Sequence, residues 1–328
     1  MSKQDSSTPS TAAHQIIIPA AIDMPKGKIH PVVIFPIGGG GDRRDLEHLY
    51  SGLIASLAAD HERFARPITV MDYKTLYSNA KFKHDNQKDL RSAFLRFLNK
   101  SVVPHSEILN AWCVDTCQMW YTGLGHAFNQ GGPGDIYWLI PGDFFYSLKP
   151  GVLDELRKIP EAVQLHGQDF CIGEISVGVN SAKQLIDTYG TYGLLYNWFP
   201  QEAQKIRQKT DKPRSEFFAI SGAFLEDVLR KRWYAYEQTI IILLHGIRVG
   251  KMIHKVPLGD ISDIEEGREK LAAAMQQVER TERALKMAWR EGNDQDAGWT
   301  ERFRLLDQQS GQIRGAAMII LQNLLGVT

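Results

Sequence analysis

The residues best placed to do chemistry are acids that close short apolar runs. Asp72 ends ITVMD, and Asp143 follows IYWLI across the tight turn Pro141-Gly142. A run that is nearly all apolar suits a strand buried on both faces. In open α/β sheets, ligands sit at the carboxyl ends of such strands. An acid there is placed to face a nucleotide's phosphates through a divalent cation, since hard cations take oxygen ligands. Glu237 opens the apolar segment EQTIIILLH, where an acid also suits the first turn of a helix. In KPRSEFF, the Arg214 guanidinium matches a phosphate or carboxylate in two-pronged fashion, or forms a surface pair with Glu216. Asp143 has a plainer use as well, because aspartate is favoured in turns.

The elements that must position these residues alternate in type. Strands are predicted at 31–36, 67–72, 135–140, 169–179, 215–220 and 251–258, with an edge strand at 15–21. Helices are predicted at 42–59, 89–98, 106–127, 149–157, 224–230 and 237–245. Leu46, Leu49, Tyr50, Leu53, Ile54 and Leu57 form one apolar stripe along the first of these helices. Strand, glycine-rich turn, helix and strand in that order make a βαβ unit, hence a parallel sheet. Residues 181–199 are rich in aromatics and end at Pro200. Gly38 to Gly41 form either an anion-binding turn or a plain loop; without a following Gly-Lys-Ser/Thr they are no P-loop.

Beyond Gly259 the pattern changes. A charged helix over 264–290, a break at 291–298 and a second helix ending in AAMIILQNLLG predict an antiparallel hairpin. The expected organisation is a disordered leader over 1–14, an α/β domain over 15–259 and the helical hairpin over 260–328. Self-association is expected to bury Leu271, Met275, Val278, Met318, Ile319, Leu321 and Leu324. Contact with a membrane surface is the alternative, although the last helix has few basic residues.

Composition narrows the class. The chain has 328 residues with 38 basic and 38 acidic side chains, so nothing in the charge balance points to nucleic acid. Three cysteines, Cys113, Cys117 and Cys171, are too few for a disulfide framework and suit a reducing cytoplasm. No second pair at ligand spacing supports a zinc site. No apolar run reaches the roughly 20 residues of a membrane span. Ser176 lies in GEISVG, which is not the nucleophile elbow of an esterase.

Four segments at predicted strand ends carry a resemblance: PVVIFPIGGGGDRRDLEHLYSGLIASL, ITVMDYKT, GLGHAFNQGGPGDIYWLIPGD and YAYEQTIIILLHGIRVGKMIHKVPLG. In this order and spacing, over roughly residues 30–259, the chain resembles GT-A-fold glycosyltransferases of the inverting family 2 type. The resemblance implies a mostly parallel, Rossmann-like sheet and a hexosyltransferase that takes a sugar from a nucleotide-diphospho-sugar to an acceptor hydroxyl. It implies that Asp72 bonds the nucleobase and that Asp143 coordinates Mg2+ or Mn2+ at the diphosphate. Glu237 would be the catalytic base, and His254 a further metal or phosphate contact. The first position of the family's Asp-x-Asp is Pro141 here. A GT-A-like module that binds sugar or a partner without turnover is therefore the alternative, with a nucleotidyltransferase behind it.

Overall fold

The computed structural model describes residues 27–35, 50–72, 103–111, 116–141, 151–175, 186–231, 238–259 and 268–324. Their strands are β1 (Ile29–Phe35), β2 (Ile68–Asp72), β3 (Glu107–Ala111), β4 (Ile136–Pro141), β5 (Phe170–Glu174), β6 (Phe218–Ser221) and β7 (Ile253–Pro257). They form one sheet in the order β3-β2-β1-β4-β6-β5-β7. β6 runs antiparallel to both of its neighbours, and every other pairing is parallel. The central register places Val32 opposite Ile68 on one side and Leu139 on the other.

The helices are α1 (Ala55–Ala59, continuing the π-helical turn Tyr50–Ile54), α2 (Thr116–Gln130), α3 (Val152–His166) and α4 (Tyr192–Trp198, after the π-helical turn Ile186–Thr191). They continue as α5 (Pro200–Lys209), α6 (Gly222–Arg230), α7 (Gln238–Arg248), α8 (Arg268–Asn293) and α9 (Trp299–Leu324). The apolar strands feed two cores by alternation, as a pleated strand must. Ile136, Trp138 and Ile140 pack with α1 and α3, whereas Tyr137 and Leu139 pack with α2 and the later helices. The sheet is thus covered on both faces, the arrangement that parallel strands require.

Local chemistry accounts for several boundaries. Ser221 caps α6, its Oγ accepting from the Phe224 amide at 3.4 Å, as N-terminal caps do. Pro200 does not merely end the aromatic stretch; it opens α5, where its missing N–H has no partner to lose. α3 runs past the expected end at 157, through Pro160, to Gly167 in the left-handed region (φ 58°). Burial of Ile159, Pro160, Ala162 and Val163 against the sheet offsets the lost helix bond, which costs about 3 kcal/mol.

One expectation is overturned. Residues 107–111, read as the start of a helix, form the edge strand β3 paired with β2. The Glu107 amide donates to Pro67 O at 2.9 Å, and Arg66 Nε donates to Ser106 O at 2.8 Å. Pairing with β2 outweighs the local helical pattern, since strand formation depends on neighbours more than on intrinsic preference. The predicted strand over 15–21 and helix over 89–98 lie outside the described residues.

The C-terminal helices do pack as a pair, and they join the core on the α2 face. Val278, Leu285, Trp289 and Leu321 belong to the same buried cluster as β1, β4 and α2. Trp198 Nε1 donates to Ser310 Oγ at 2.6 Å, and Asn197 Nδ2 to Leu306 O at 2.9 Å. Between α8 and α9, buried Glu282 holds Lys286 at 2.8 Å and Arg314 at 2.7 Å. Of the residues expected to meet a second copy, Val278 and Leu321 are thus buried within the chain itself, while Ile319 is exposed. Among the described residues no helix is long and apolar enough to cross a membrane.

Candidate active site

The parallel strands deliver their carboxyl ends to one edge of the sheet. In spatial order these ends are Ala111, Asp72, Phe35, Pro141, then Glu174 and Pro257, with the amino end of antiparallel β6 between Pro141 and Glu174. Asp72 is the last residue of β2, opposite Ala111. β1 lies between β2 and β4, so the ends of β2 and β4 are about 10 Å apart at the usual strand spacing. Asp143 is two residues beyond the end of β4 and lies outside the described residues.

α6 brings the chain back to this edge. Tyr121, in the early turns of α2, donates its hydroxyl to Leu229 O near the end of α6. α7 then leads to the start of β7. Glu237, immediately before α7, lies outside the described residues, as do Gly38 to Gly41.

Arg214 sits on the 210–217 loop that leads into β6, and this loop is firmly held. Glu174 Oε1 accepts from Thr210 Oγ1 and from the Asp211 amide, both at 2.7 Å. Ser215 Oγ donates to Gly173 O at 2.6 Å, and Gly173 N donates to Phe217 O at 2.7 Å. The Lys255 ammonium is 3.5 Å from Glu174 and 3.6 Å from Asp211. Half-buried Arg214 donates from Nη1 to Gln277 Oε1 of α8 at 2.9 Å. Neither Gln277 nor the Glu174 anchor carries a local sequence signal. Arg214 and Gln277 are 63 positions apart.

His254 is placed elsewhere. It is the second residue of β7, opposite Cys171, and its side chain is exposed. β7 stands three strands from β4, a lateral separation of about 14 Å, and the carboxyl end of β7 lies three residues further on. Among the described residues no group of three or more His, Cys, Asp or Glu side chains comes together to hold a metal ion. Cys171 is fully buried, and burial pushes its thiol up to about 12, so it is no nucleophile at neutral pH.

The stretch 123–146 divides between the two edges. α2 packs closely on β1 and β2: a Cβ on Gly123 would lie 2.5 Å from Val70 Cγ2 and 2.7 Å from Val32 Cγ1. The helix ends at Gln130, and the glycine loop 131–134 lies at the amino edge, before β4 begins. Of the described residues in this stretch, the end of β4 at Pro141 reaches the carboxyl edge, whereas the glycine loop lies at the opposite edge from Asp72. His126, also near the glycine loop, is at the amino edge too, 2.8 Å from Glu107.

The sequence matches no family model and no curated protein. Among solved structures, glucosyl-3-phosphoglycerate synthase from Mycobacterium tuberculosis in complex with phosphoglyceric acid is similar to this chain at a TM-score of 0.49 and 14% identity, over 79% of this chain and 80% of that one. The same synthase in complex with Mn2+, UDP and phosphoglyceric acid gives 0.47 and 12%, over 79% and 78%. A 4-diphosphocytidyl-2C-methyl-D-erythritol synthase gives 0.38 and 9%, over 76% of this chain and 98% of that one. Among the described residues the fold is a mostly parallel seven-stranded sheet with flanking helices and two C-terminal helices.

Proposed function

We propose that this chain is a glycosyltransferase that takes its sugar from a nucleotide-diphospho-sugar bound across the carboxyl edge of the sheet. The observation that carries this reading is the position of Asp72, which ends β2 beside β1, with the strand that leads to Asp143 on the other side of β1. In this reading Asp72 bonds the nucleobase, Asp143 faces the diphosphate, and Arg214 meets an anionic group of donor or acceptor. Glu237 takes the proton from the acceptor hydroxyl as its oxygen bonds the anomeric carbon and the nucleoside diphosphate departs. Attack from the face opposite the leaving group inverts the sugar. A carboxylate suits the base role because the reacting carbon becomes oxocarbenium-like, and the hydroxyl gives up its proton as the bond forms. No step is assigned to a metal ion, since the described residues do not make up its ligand set; a Mg2+ or Mn2+ site would rest on Asp143. His254, on the far strand, is left outside this site.

The test is a thermal shift of the full-length protein with UDP- and GDP-sugars in the presence of Mg2+ or Mn2+. A rise of several degrees that Asp72→Ala or Asp143→Ala abolishes is expected. No shift with any nucleotide-sugar sinks the proposal.

A second reading, a binding module without turnover, is favoured by one observation. Pro141, where the family's first aspartate would stand, is a buried strand residue opposite Ile34, and its side chain has no atom that can ligate an ion. Donor hydrolysis that disappears in Glu237→Gln supports the enzyme; tight donor binding with no hydrolysis or transfer supports the module.

A further inference from the structure

The outer face of α9 carries no charge. From Leu305 to the end of the helix the charged residues are Asp307 and Arg314 alone. Both turn to α8: Asp307 pairs with Lys286, and Arg314 Nη1 donates to Glu282 Oε2 at 2.7 Å. The opposite face stays in solvent. Leu305 is 47% exposed and Ile319 59%, with Gln308, Gln309, Gln312 and Ala316 exposed between them. Exposed helix faces ordinarily carry charged side chains, whereas the centres of protein interfaces are depleted of them. Gly315 adds to this. Glycine is a poor helix former, and apart from the helix's own backbone no atom of the chain lies within 4 Å of where its Cβ would stand. Close packing inside the chain does not account for it.

The order of residues along this face identifies the occupant. When two copies of one helix pack antiparallel about a two-fold axis, a residue before the axis meets the one equally far after it. With Gln312 at the axis, Leu305, seven residues before, meets Ile319, seven after. Gln308 and Gln309 come opposite Gly315 and Ala316, so long side chains lie over short ones. Gln312 meets its own copy. A charged residue there would face its like, while an amide both donates and accepts. A different protein would be selected by opposite charge, which this face does not offer. We infer that a second copy of this chain packs α9 against α9, antiparallel about Gln312. The inference is independent of the donor reading above. One helix pair buries less than the ~1,200 Å² at which standard interfaces begin, so the expected dissociation constant is micromolar.

Sedimentation of the full-length protein from about 1 to about 200 μM tests it. A rise from the mass of one chain to that of two is expected. Ile319→Glu and Leu305→Lys, made separately, are each expected to weaken the dimer about tenfold or more at an unchanged melting temperature, because each leaves an unpaired charge at the contact. Made together in one chain they are expected to restore it, since each lysine then faces the glutamate of the other copy. Within one chain positions 305 and 319 stand about 21 Å apart along the helix, too far to pair. The mass of one chain at every concentration overturns the inference, as does a dimer that neither single substitution weakens. A double variant that stays monomeric overturns it too. Monomeric protein that pellets with phosphatidylserine vesicles, and no longer does so as Ile319→Glu, overturns it in favour of a membrane surface.

Discussion

The two edges of the sheet use the same kinds of residue in opposite ways. At the amino edge, charged and polar groups on successive elements satisfy one another. His30 is 2.8 Å from Asp135, which also accepts from the Lys28 amide at 2.9 Å. The Tyr137 ring stacks on His30 and its hydroxyl donates to Gly132 O at 2.9 Å. Glu107 receives Gln130 and pairs with His126, and Asp169 holds Lys251 and the Met252 amide. These contacts fasten strand starts to the ends of helices. At the carboxyl edge, β2 ends in an acid, and Arg214 on the loop before β6 donates to Gln277 of the distant helix α8. Carboxylate–histidine pairs thus mark structure at one edge here, while the other edge is where ligands bind in such sheets. A motif search that counts histidines and acids without knowing the edge mixes the two.

The comparison is broken if changes at the amino edge impair nucleotide binding at constant stability. The largest effect is expected at Gly131. A Cβ there would lie 2.5 Å from Asp135 Oδ2, 2.6 Å from His30 Nε2 and 2.7 Å from Tyr137 Oη. Gly131→Val should cost roughly 2–4 kcal/mol of stability by forcing this cluster apart. Denaturant melts measure the loss, and nucleotide affinity of the folded fraction should not change.

A smaller effect is expected at alkaline pH. Burial, opposed by the hydrogen bond with the Gly132 backbone and reinforced by the Asp135 charge, pushes the Tyr137 phenol from 10.0 up to about 12. The unfolded chain releases this proton first. The stability it contributes is therefore present below pH 10 and lost as pH rises towards 12. Tyr137→Phe should flatten that part of the stability profile, as read by melting temperature between pH 9 and 12. An unchanged slope would count against the cluster as the cause.

The smallest effect is expected at Glu107. Burial raises its carboxyl, but donation from Gln130, the bond with His126, and the His126 and Arg66 charges together lower it below 4.5. Its contribution is therefore present above that value and lost as pH falls through the lowered one. Glu107→Gln should cost less than about 1 kcal/mol at pH 7, in keeping with a partly exposed pair. Its acid melting profile should be flatter than that of the wild type. A loss of nucleotide affinity instead would move the functional edge.

Much of the fold was legible along the chain. β1, β2 and β4 are apolar runs stopped by proline, glycine or aspartate, and their burial on both faces is what a parallel sheet demands of them. The first hairpin helix announced itself by the 3–4 spacing of Leu271, Met275, Val278, Leu285 and Trp289, interrupted at Glu282. Asp72 was legible too, because a strand end needs only a pattern and its interruption. The direction of β6, the strand character of 107–111 and the edge to which His126 belongs were not. Each depends on a partner remote in sequence: Leu139 opposite Phe218, Ile68 opposite Glu107, and Glu107 beside His126.

By itself, then, the sequence determined which segments are buried and where the acids interrupt them, because periodicity and chain breakers act over a few residues. Only the tertiary structure decided which strands are neighbours, which edge each polar group faces, and that Gln277 reaches Arg214. Those outcomes follow from closing the chain on itself, where contacts between distant segments outweigh local preference.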